Sequence, residues 1–555
     1  IQVRTLSLNH YPSNFGWTSH ETLGIAASYH SATVPVPPPS QVWVDDDWAG
    51  SSPGDPVDGH TFGTDAFDVI QDGVDAVASG GVVHVAAGTY GEWVDVAKPV
   101  TLLGANADIH PAVGMHPTKT VGTRGPESIL TYTTGAIRPK ADNIVVDGFM
   151  FTGAGARLID TYSDANNFHL TNCIFEDPVF HPTTGTVQFG GGSHTDMLVD
   201  FNLFKDRGDH TLYFGGGPYD GLHIAYNKFN VEGDSIFWGA APLVDGVVEY
   251  NEFDGTIDGT PGVGFGTMNI GAGGNIIIRH NWFHDQQYTA FQIGIIDGYV
   301  TDNIFERIYP LSGSFADAFQ LWGGQYGTPV STNVIIEHNV IRYNDILGAS
   351  FPSHGIRLRP PSGGPGIDGA TIHINYNSFE DGGARTDAYA IRHQGEPGTV
   401  VDAEYNWWGN VNGPYDPVGT VEMPYEPEPP VTDMKNTEPT GNLGGMVGEY
   451  VDYYPWLGAP VEVYTMLEDL KTEIDDLTDG DFKPPAADRT AALIDKINEV
   501  IAKIDAGDYQ GAMMKLLNDI RPKLDYSAKQ AWLVTDHSEL LGKIDAVVGI
   551  LEDLL

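Results

Sequence analysis

The sequence contains a single cysteine, few basic residues and no long hydrophobic segment. Because Cys173 has no second cysteine to pair with, an intramolecular disulfide is excluded. No stretch approaches the roughly 18 apolar residues that cross a bilayer, which predicts a chain without a membrane span. The 28 Lys and Arg residues stand against 74 Asp and Glu residues, a formal net charge of −46. Nucleic acid is therefore excluded as a natural partner, because a phosphate backbone requires a surplus of cations.

The chain does contain enough apolar material for a large core. Hydrophobic residues make up 41% of the sequence and aromatic residues 11%, which excludes bulk disorder. The 68 glycines in 555 residues exceed the usual share of about 7%.

A repeated motif begins near residue 143: alternating apolar residues, then Asn, any residue, and an aromatic or large aliphatic residue. Its instances are Asn202/Phe204, Asn227/Phe229, Asn251/Phe253, Asn281/Phe283, Asn303/Phe305, Asn339/Ile341, Asn377/Phe379 and Asn406/Trp408. Their separations of 22 to 38 residues predict a solenoid. We expect the Asn side chains to bond from coil to coil, and the aromatic rings to stack inside.

A second repeated strand predicts a column of outward-facing residues along the solenoid. Its members are Gln188, Tyr213, Phe237, Asn269, Gln292, Gln320, Arg357 and Arg392. Extra residues at about 254–266, 306–316, 342–354 and 380–388 predict loops that rise beside this column and wall a groove.

Composition divides the chain into three parts. Residues 1–40 are predicted to be an extended arm that ends in a Pro-rich linker, and residues 41–458 the solenoid. Within the solenoid, Thr64 is predicted to cap a helix with apolar residues at 67, 70, 74 and 77. Residues 461–555 show helical periodicity and predict a separate helical bundle.

Five segments carry a family resemblance: VWVDDDW at 42–48, VHVAAGTYGE at 83–92, PVTLLG at 99–104, NWWGNVNGP at 406–414 and YPWL at 454–457. With the Asn repeats, they resemble secreted right-handed parallel β-helix proteins of the pectin-lyase-like superfamily, of the exported prokaryotic surface type. The resemblance implies a mainly β fold: a right-handed parallel β-helix with an N-terminal capping helix and a small C-terminal helical bundle. It also implies an extracellular or cell-surface location. It leaves function open, because the superfamily includes lyases, hydrolases, adhesins and non-catalytic proteins.

Basic residues concentrate at the C-terminal end of the predicted column. Arg357 and Arg392 fall on adjacent coils about 4.8 Å apart, with His354 and Asp317 at the preceding turn. A lyase for acidic polysaccharide needs a base beside the sugar carboxylate, so these four residues are the catalytic candidates. The substrate-binding candidates are Gln292, Gln320, Arg357, Arg359, Arg392 and His393. The alternative interpretation is that the arginines neutralise Asp and Glu of neighbouring coils, because no catalytic motif of the superfamily matches residue by residue.

The densest short run of carboxylates is Asp45, Asp46 and Asp47. Oxygen ligands suit Ca²⁺, although no Asp-x-Asp-x-Asp-Gly loop is present to fix the geometry. The run is therefore a candidate calcium site, and the charge of −46 favours calcium binding by the chain.

Three functions are compatible with these patterns. The uniform repeat and the absent catalytic motif favour a non-catalytic, calcium-stabilised extracellular protein that self-assembles into a surface layer, sheath or filament. The alternatives are a polysaccharide lyase or related enzyme acting on acidic glycans, and an adhesin that binds extracellular polysaccharide without turnover.

Overall fold

The structure is a computed structural model of the 555-residue chain. It describes residues 37–111, 123–131, 136–153, 157–161, 165–176, 185–190, 192–206, 210–215, 217–231, 235–257, 260–261, 268–286, 289–308, 316–324, 329–342, 353–360, 365–380, 388–396, 398–416, 444–448 and 450–555. Most of the predicted arm and most residues of the four predicted loops lie outside these ranges, so those predictions are not addressed by the described residues.

The described strands lie mainly in three long parallel sheets, and successive strands of the chain join sheets 1, 2 and 3 in turn. One strand from each sheet forms one coil, an arrangement consistent with a parallel β-helix. Only two short antiparallel pairs occur among the named strands: Pro56–Val57 with His60–Thr61, and Thr256–Ile257 with Thr260–Pro261.

Sheet 1 contains, in spatial order, Ala66–Phe67, Gln41–Val44, Gly81–Val85, Val100–Leu103, Ile144–Asp147, His169–Thr171, Leu198–Asp200, His223–Ala225, Val247–Glu249, Ile276–Arg279, Ile296–Thr301, Thr332–Glu337, Ile372–Asn375, Val401–Asp402 and Val451–Asp452. Sheet 2 contains Gly88–Tyr90, Ser128–Thr131, Phe149–Thr152, Ile174–Glu176, Leu203–Asp206, Lys228–Val231, Glu252–Asp254, Trp282–His284, Ile304–Glu306, Val340–Arg342 and Ser378–Glu380. Sheet 3 contains Val94–Val96, Ile137–Pro139, Ile159–Thr161, Gly185–Phe189, His210–Phe214, Ser235–Val244, Met268–Gly274, Thr289–Gly294, Asp317–Leu321, Ser353–Leu358, Ala388–His393, Gly444–Val447 and Pro414–Tyr415, with His194–Thr195 and Tyr219–Asp220 beside this path.

The predicted asparagine ladder is confirmed at the turn between sheets 1 and 2. From Asn202 to Asn406, each Asn Nδ2 donates to the Oδ1 of the next Asn over 2.9–3.1 Å. All eight side chains are buried, so their hydrogen bonds form where water cannot replace them. The ladder therefore fixes the stacking of one coil on the next.

The residue before each ladder Asn adopts a left-handed backbone conformation, a feature that the sequence patterns did not reveal. The φ values lie between 54° and 58° at Phe201, Tyr226, Tyr250, His280, Asp302, His338, Tyr376 and Tyr405. Side chains at several of these positions stack on one another; the Phe201 and Tyr226 rings, for example, are 5.0 Å apart. Residues with a Cβ rarely adopt this conformation, and here the ladder and the stacked rings hold it in place.

The aromatic repeat is confirmed as a stack in the interior. Phenylalanine rings of sheet 2 pack face to face with centroids 4.6–5.0 Å apart: Phe151, Phe175, Phe204, Phe229, Phe253, Phe283 and Phe305. Phe379 and Trp408 continue the pattern in the last coils. The alternate residues of sheet 2 consequently face away from this core.

The N-terminal helix is shorter than the sequence predicts. Helix α1 is Ile70–Ala76, and Thr64 does not cap it, because Ala66–Phe67 instead pairs with the strand Gln41–Val44. The helix begins where the carboxylate of Glu92 accepts hydrogen bonds from the amides of Ile70 and Gln71, over 2.7 and 2.9 Å. Burial raises the pKa of this carboxyl group. Its position 22 residues beyond Ile70 hides the cap from local sequence patterns.

The helices after residue 460 have an apolar core of their own. They are α2 (Val461–Asp475), α3 (Ala486–Asp505), α4 (Tyr509–Lys515), a π-helical turn (Leu516–Ile520), α5 (Arg521–Leu524) and α6 (Ser538–Asp553). The start of α2 contacts the last coils, where the Val461 amide donates to Ser378 Oγ over 2.7 Å and Trp407 packs on Val461. Among the described residues, no helix has the length and apolar character that a bilayer crossing requires.

Candidate functional site

The column of residues predicted on sheet 3 is present in the strand register, with one correction to its members. Gln188, Tyr213, Trp238, Asn269, Gln292, Gln320, Arg357 and Arg392 occupy successive register positions. Trp238 takes the position predicted for Phe237, which pairs instead with Leu212 and Met268. Apolar residues fill both positions of Ile236-Phe237-Trp238, so local alternation could not choose between them.

Three adjacent strands bring the catalytic candidates together at the C-terminal end of the column. Asp317 pairs in register with His354, and Gln320 pairs with Arg357, which in turn pairs with Arg392. The Asp317 carboxylate accepts hydrogen bonds from His354 Nδ1 and Gln320 Nε2, and it lies 3.6 Å from Arg357 Nη1. Asp317 and Gln320 are fully buried, and we call these five residues the Asp317 cluster.

The hydrogen bonds determine which nitrogen of His354 carries its proton. Arg392 Nη1 lies 3.0 Å from His354 Nε2, and an arginine can only donate. Nε2 is therefore the acceptor, and Nδ1 carries the proton that it donates to Asp317. Burial, reinforced by Arg357 and Arg392, lowers the pKa of His354, which agrees with a neutral ring. His354 is thus a positioning residue for Arg392, because both of its nitrogens are engaged.

The arginines of this region differ in burial and in partners. Arg357 is largely buried and donates from Nε to Gln394 Oε1 over 2.9 Å; burial, followed by the nearby arginine charges, lowers its pKa. Arg359 and Arg392 are half-buried. Arg359 Nη1 lies 3.5 Å from Gln320 Oε1, and the Arg392 guanidinium lies 4.9 Å from the centre of the Tyr389 ring.

Arg359 and Arg392 lack a carboxylate partner within the described ranges, where each bonds only neutral groups. This distinguishes them from Arg279, Arg307 and Arg342, which bond Asp or Glu of neighbouring coils. A guanidinium without a counter-charge can bind the carboxylate or sulfate of a ligand through two parallel N–H bonds. The arrangement is therefore suited to binding an anion.

Three predicted substrate-binding residues are placed differently from the expectation, and one of them, Gln320, is fully buried. Gln292 is in register with Gln320, but it is 5% exposed and therefore not open to solvent. His393 is not part of the Asp317 cluster: its Nε2 lies 3.1 Å from the Thr399 carbonyl, and it follows the buried Leu321 and Leu358 in register. Successive side chains of a strand point to opposite faces, so His393 faces away from its neighbour Arg392.

The structure places Asp45, Asp46 and Asp47 in and beside a short 3₁₀ turn, Asp46–Trp48, with carboxylate oxygens close enough to share an ion. Two of the carboxylates already have local partners. Asp45 Oδ1 accepts from the Asp47 amide over 3.0 Å, and Asp46 Oδ2 accepts from the Thr89 amide over 2.9 Å. Burial raises the pKa of Asp45, and the neighbouring carboxylates add to the effect. The calcium site therefore remains a prediction.

A second group that could hold a metal consists of Glu252, Asp254 and His284 on sheet 2, which the sequence patterns did not single out. The signal for it was present in Glu252-Phe253-Asp254 and in Phe283-His284, where carboxylates and a histidine lie next to the interior phenylalanines. The repeat pattern predicts the buried phenylalanines, whereas the candidate metal-ligating residues lie on the opposite face of the same strands.

No protein-family model matches the chain, and no curated protein matches it significantly. The resemblance to pectin-lyase-like proteins consequently remains a prediction.

Proposed function

We propose that this protein binds acidic polysaccharide through Arg359 and Arg392. The observation that carries the proposal is that these half-buried arginines bond no carboxylate among the described residues, in a chain with 74 acidic residues. Unpaired cations are costly to leave partly buried, and a bound anion removes that cost.

Support for a polymer comes from the direction of the column. Register positions on sheet 3 repeat about every 4.8 Å along the stack, so neighbouring coils offer donors in a line. Arg392 lies on that line next to Arg357, and Arg359 follows the end of the Arg357 strand, Ser353–Leu358. Buried Gln320 and His354 bond the guanidinium groups of Arg359 and Arg392 from behind. A linear glycan with a carboxylate on each sugar would meet these donors in sequence.

The test is a titration of the full chain with polygalacturonate and with a neutral polymer of the same length. We expect binding of the acidic polymer only, weakened at least about tenfold in Arg392→Gln and in Arg359→Gln. Arg342→Gln is the matched control, because Arg342 bonds Glu306 and Glu380. Equal binding by wild type and both variants would refute the proposal.

The same titration separates adhesion from catalysis. A lyase would generate the ultraviolet absorbance of an unsaturated sugar product, whereas an adhesin would bind without it. Arg357 lies 3.6 Å from the buried Asp317 carboxylate and is the candidate arginine base, so Arg357→Lys is the variant for any activity found. We favour binding without turnover, because His354 has no free nitrogen to accept a substrate proton.

The continuous ladders favour a second function, that of a rigid building block. The Asn ladder from Asn202 to Asn406 and the Phe stack from Phe151 to Phe305 suit an extracellular structural protein of a surface layer, sheath or filament, with the right-handed winding of the pectin-lyase-like superfamily. The helices after residue 460 contact the last coils, which favours lateral self-association over growth at that end. Calcium would neutralise the charge of −46 between neighbouring rods.

Light scattering and electron microscopy of concentrated protein test this second function. We expect assemblies with CaCl₂ that dissolve on chelation before the fold is lost. A chain that stays monomeric with CaCl₂ would argue against the structural role.

A further inference from the structure

A polar cluster on the outer face of sheet 2 has the features of a metal site. Glu252 and Asp254 lie on one strand and His284 on the next, with Asp254 and His284 in register. One side-chain ligand atom from each lies within 4.8 Å of the others, and all three residues are buried. The cluster lies on a different sheet from the Asp317 cluster and does not depend on it.

The orientation of His284 is fixed from behind. Its Nδ1 lies 2.7 Å from Asp285 Oδ2, and Arg307 holds that carboxylate with bonds of 2.8 and 2.9 Å. A histidine that donates from one nitrogen to a carboxylate presents the lone pair of the other, as histidine ligands of metals do. The Trp282 ring, 3.9 Å from the imidazole, covers the ring face.

The other nitrogen points into the cluster. His284 Nε2 has no hydrogen-bond partner among the described residues, and the side chain is only 6% exposed. The nearest carboxylate oxygen, Glu252 Oε1, lies 3.4 Å away. A lone pair and a carboxylate oxygen facing each other across this gap repel unless a cation or a proton lies between them.

Lys228 supplies positive charge to the carboxylates at present. Its Nζ lies 2.6 Å from Glu252 Oε1 and 3.5 Å from Asp254 Oδ2. The side chain is 25% exposed, and a lysine can turn its ammonium group out to water. Lys228 therefore competes for the place of a bound ion.

We propose that Glu252, Asp254 and His284 bind a divalent transition-metal ion, with Lys228 displaced on binding. One imidazole with two carboxylates suits Zn²⁺ and its neighbours, whereas Ca²⁺ and Mg²⁺ prefer oxygen ligands alone. Asp285 and Arg307 keep the histidine in the ligating orientation.

Zn²⁺ titration of the full chain, in an excess of CaCl₂ and MgCl₂, tests the proposal. The excess saturates the many exposed carboxylates, so the remaining heat reports a site that requires nitrogen. We expect one Zn²⁺ per chain at this site, weakened at least about tenfold in His284→Gln. The control is His223→Gln, which alters another histidine–carboxylate pair, with Glu249 at 2.8 Å.

Lys228→Met provides the sharper measurement, because a purely structural cluster would lose stability without gaining affinity. We expect this variant to bind Zn²⁺ more tightly than wild type, and Co²⁺ to give a visible absorption band that His284→Gln lacks. If circular dichroism shows that His284→Gln does not fold, Asp254→Asn replaces it. No Zn²⁺ binding to wild type, or equal affinity in wild type and Lys228→Met, would overturn the proposal. Either result would indicate that a proton, not a metal ion, lies between His284 Nε2 and Glu252 Oε1.

Discussion

Arginines on the coils fall into two groups that differ in their partners. Arg279, Arg307 and Arg342 each bond carboxylates of neighbouring coils over 2.7 to 3.0 Å. Arg392, on sheet 3, bonds a histidine instead, and Arg359, which follows a strand of that sheet, bonds a glutamine. The first group fits the interpretation that arginines neutralise neighbouring acids, and the second does not.

The difference shows that the position of a charge on a solenoid decides its role. At Arg342, the strand register itself supplies Glu306 and Glu380 on either side. At Arg392, the same kind of register supplies Arg357, and only the buried Asp317 balances the cluster among the described residues. An arginine ladder of the second kind favours an external anion.

The largest expected effect is that of Asp317→Asn. This change removes the buried counter-charge of Arg357 and the acceptor of His354, and we expect a loss of about 3–5 kcal/mol in the free energy of unfolding. Urea denaturation measures it. Glu176→Gln, which alters an exposed pair with Lys205, should cost less than about 1 kcal/mol. Similar losses in both variants would contradict a special role for the buried Asp317 carboxylate.

Salt should weaken the binding of an acidic polymer by the second group of arginines. Binding of the acidic polymer to Arg359 and Arg392 should weaken about tenfold between roughly 0.05 and 0.5 M NaCl, because mobile ions screen half-exposed charges. Titrations at several NaCl concentrations provide the measurement. A salt-independent affinity would indicate that hydroxyl groups of the sugar, rather than carboxylates, are recognised.

Acid should reduce stability through His354. Because its pKa is lowered in the folded state, the unfolded chain takes up the proton first as pH falls through about 6.5. The contribution of neutral His354 to the free energy of unfolding is full above that pH and is lost below it, with a slope of up to about 1.4 kcal/mol per pH unit. Asp317, Arg357 and Arg392 are the charged groups that face the ring. Between pH 5 and 7.5 the free energy of unfolding should change less with pH in His354→Gln than in wild type. The same pH dependence in both proteins would contradict a neutral His354 ring.

The smallest expected effect belongs to Arg342→Gln in the paired group. Its guanidinium is partly exposed, so loss of the bonds to Glu306 and Glu380 should cost about 0.5–1 kcal/mol. Thermal unfolding measures the cost, and polymer binding should stay unchanged. A loss of binding in this variant would move the glycan site to sheet 2.

The fold was predictable because its signals are local and repeated. The Asn ladder and the Phe stack follow from one motif read eight times, and a parallel register then brings equivalent residues together. The start of α1 was not predictable, because Glu92 caps it from a distant segment. The sequence predicted Phe237 for the column, whereas Trp238 occupies that register position. Because Ile236, Phe237 and Trp238 are all apolar, alternation along the strand did not distinguish them.

The candidate site was predictable only in part. The grouping of Asp317, His354, Arg357 and Arg392 follows from repeat positions, and the structure brings all four together. The burial of Gln320 and the inward direction of His393 depend on what covers each strand, which no single repeat records.

The sequence by itself determined a negatively charged chain of parallel coils, because charge is a sum over residues and the repeat period needs no partner. Only the tertiary structure decided which charges are balanced. Ion pairs join residues about 22 to 38 positions apart, as in Arg307 with Asp285 and Arg342 with Glu380. Such pairs exist only after the strands have stacked, and only then does it become apparent which arginines bond no carboxylate among the described residues.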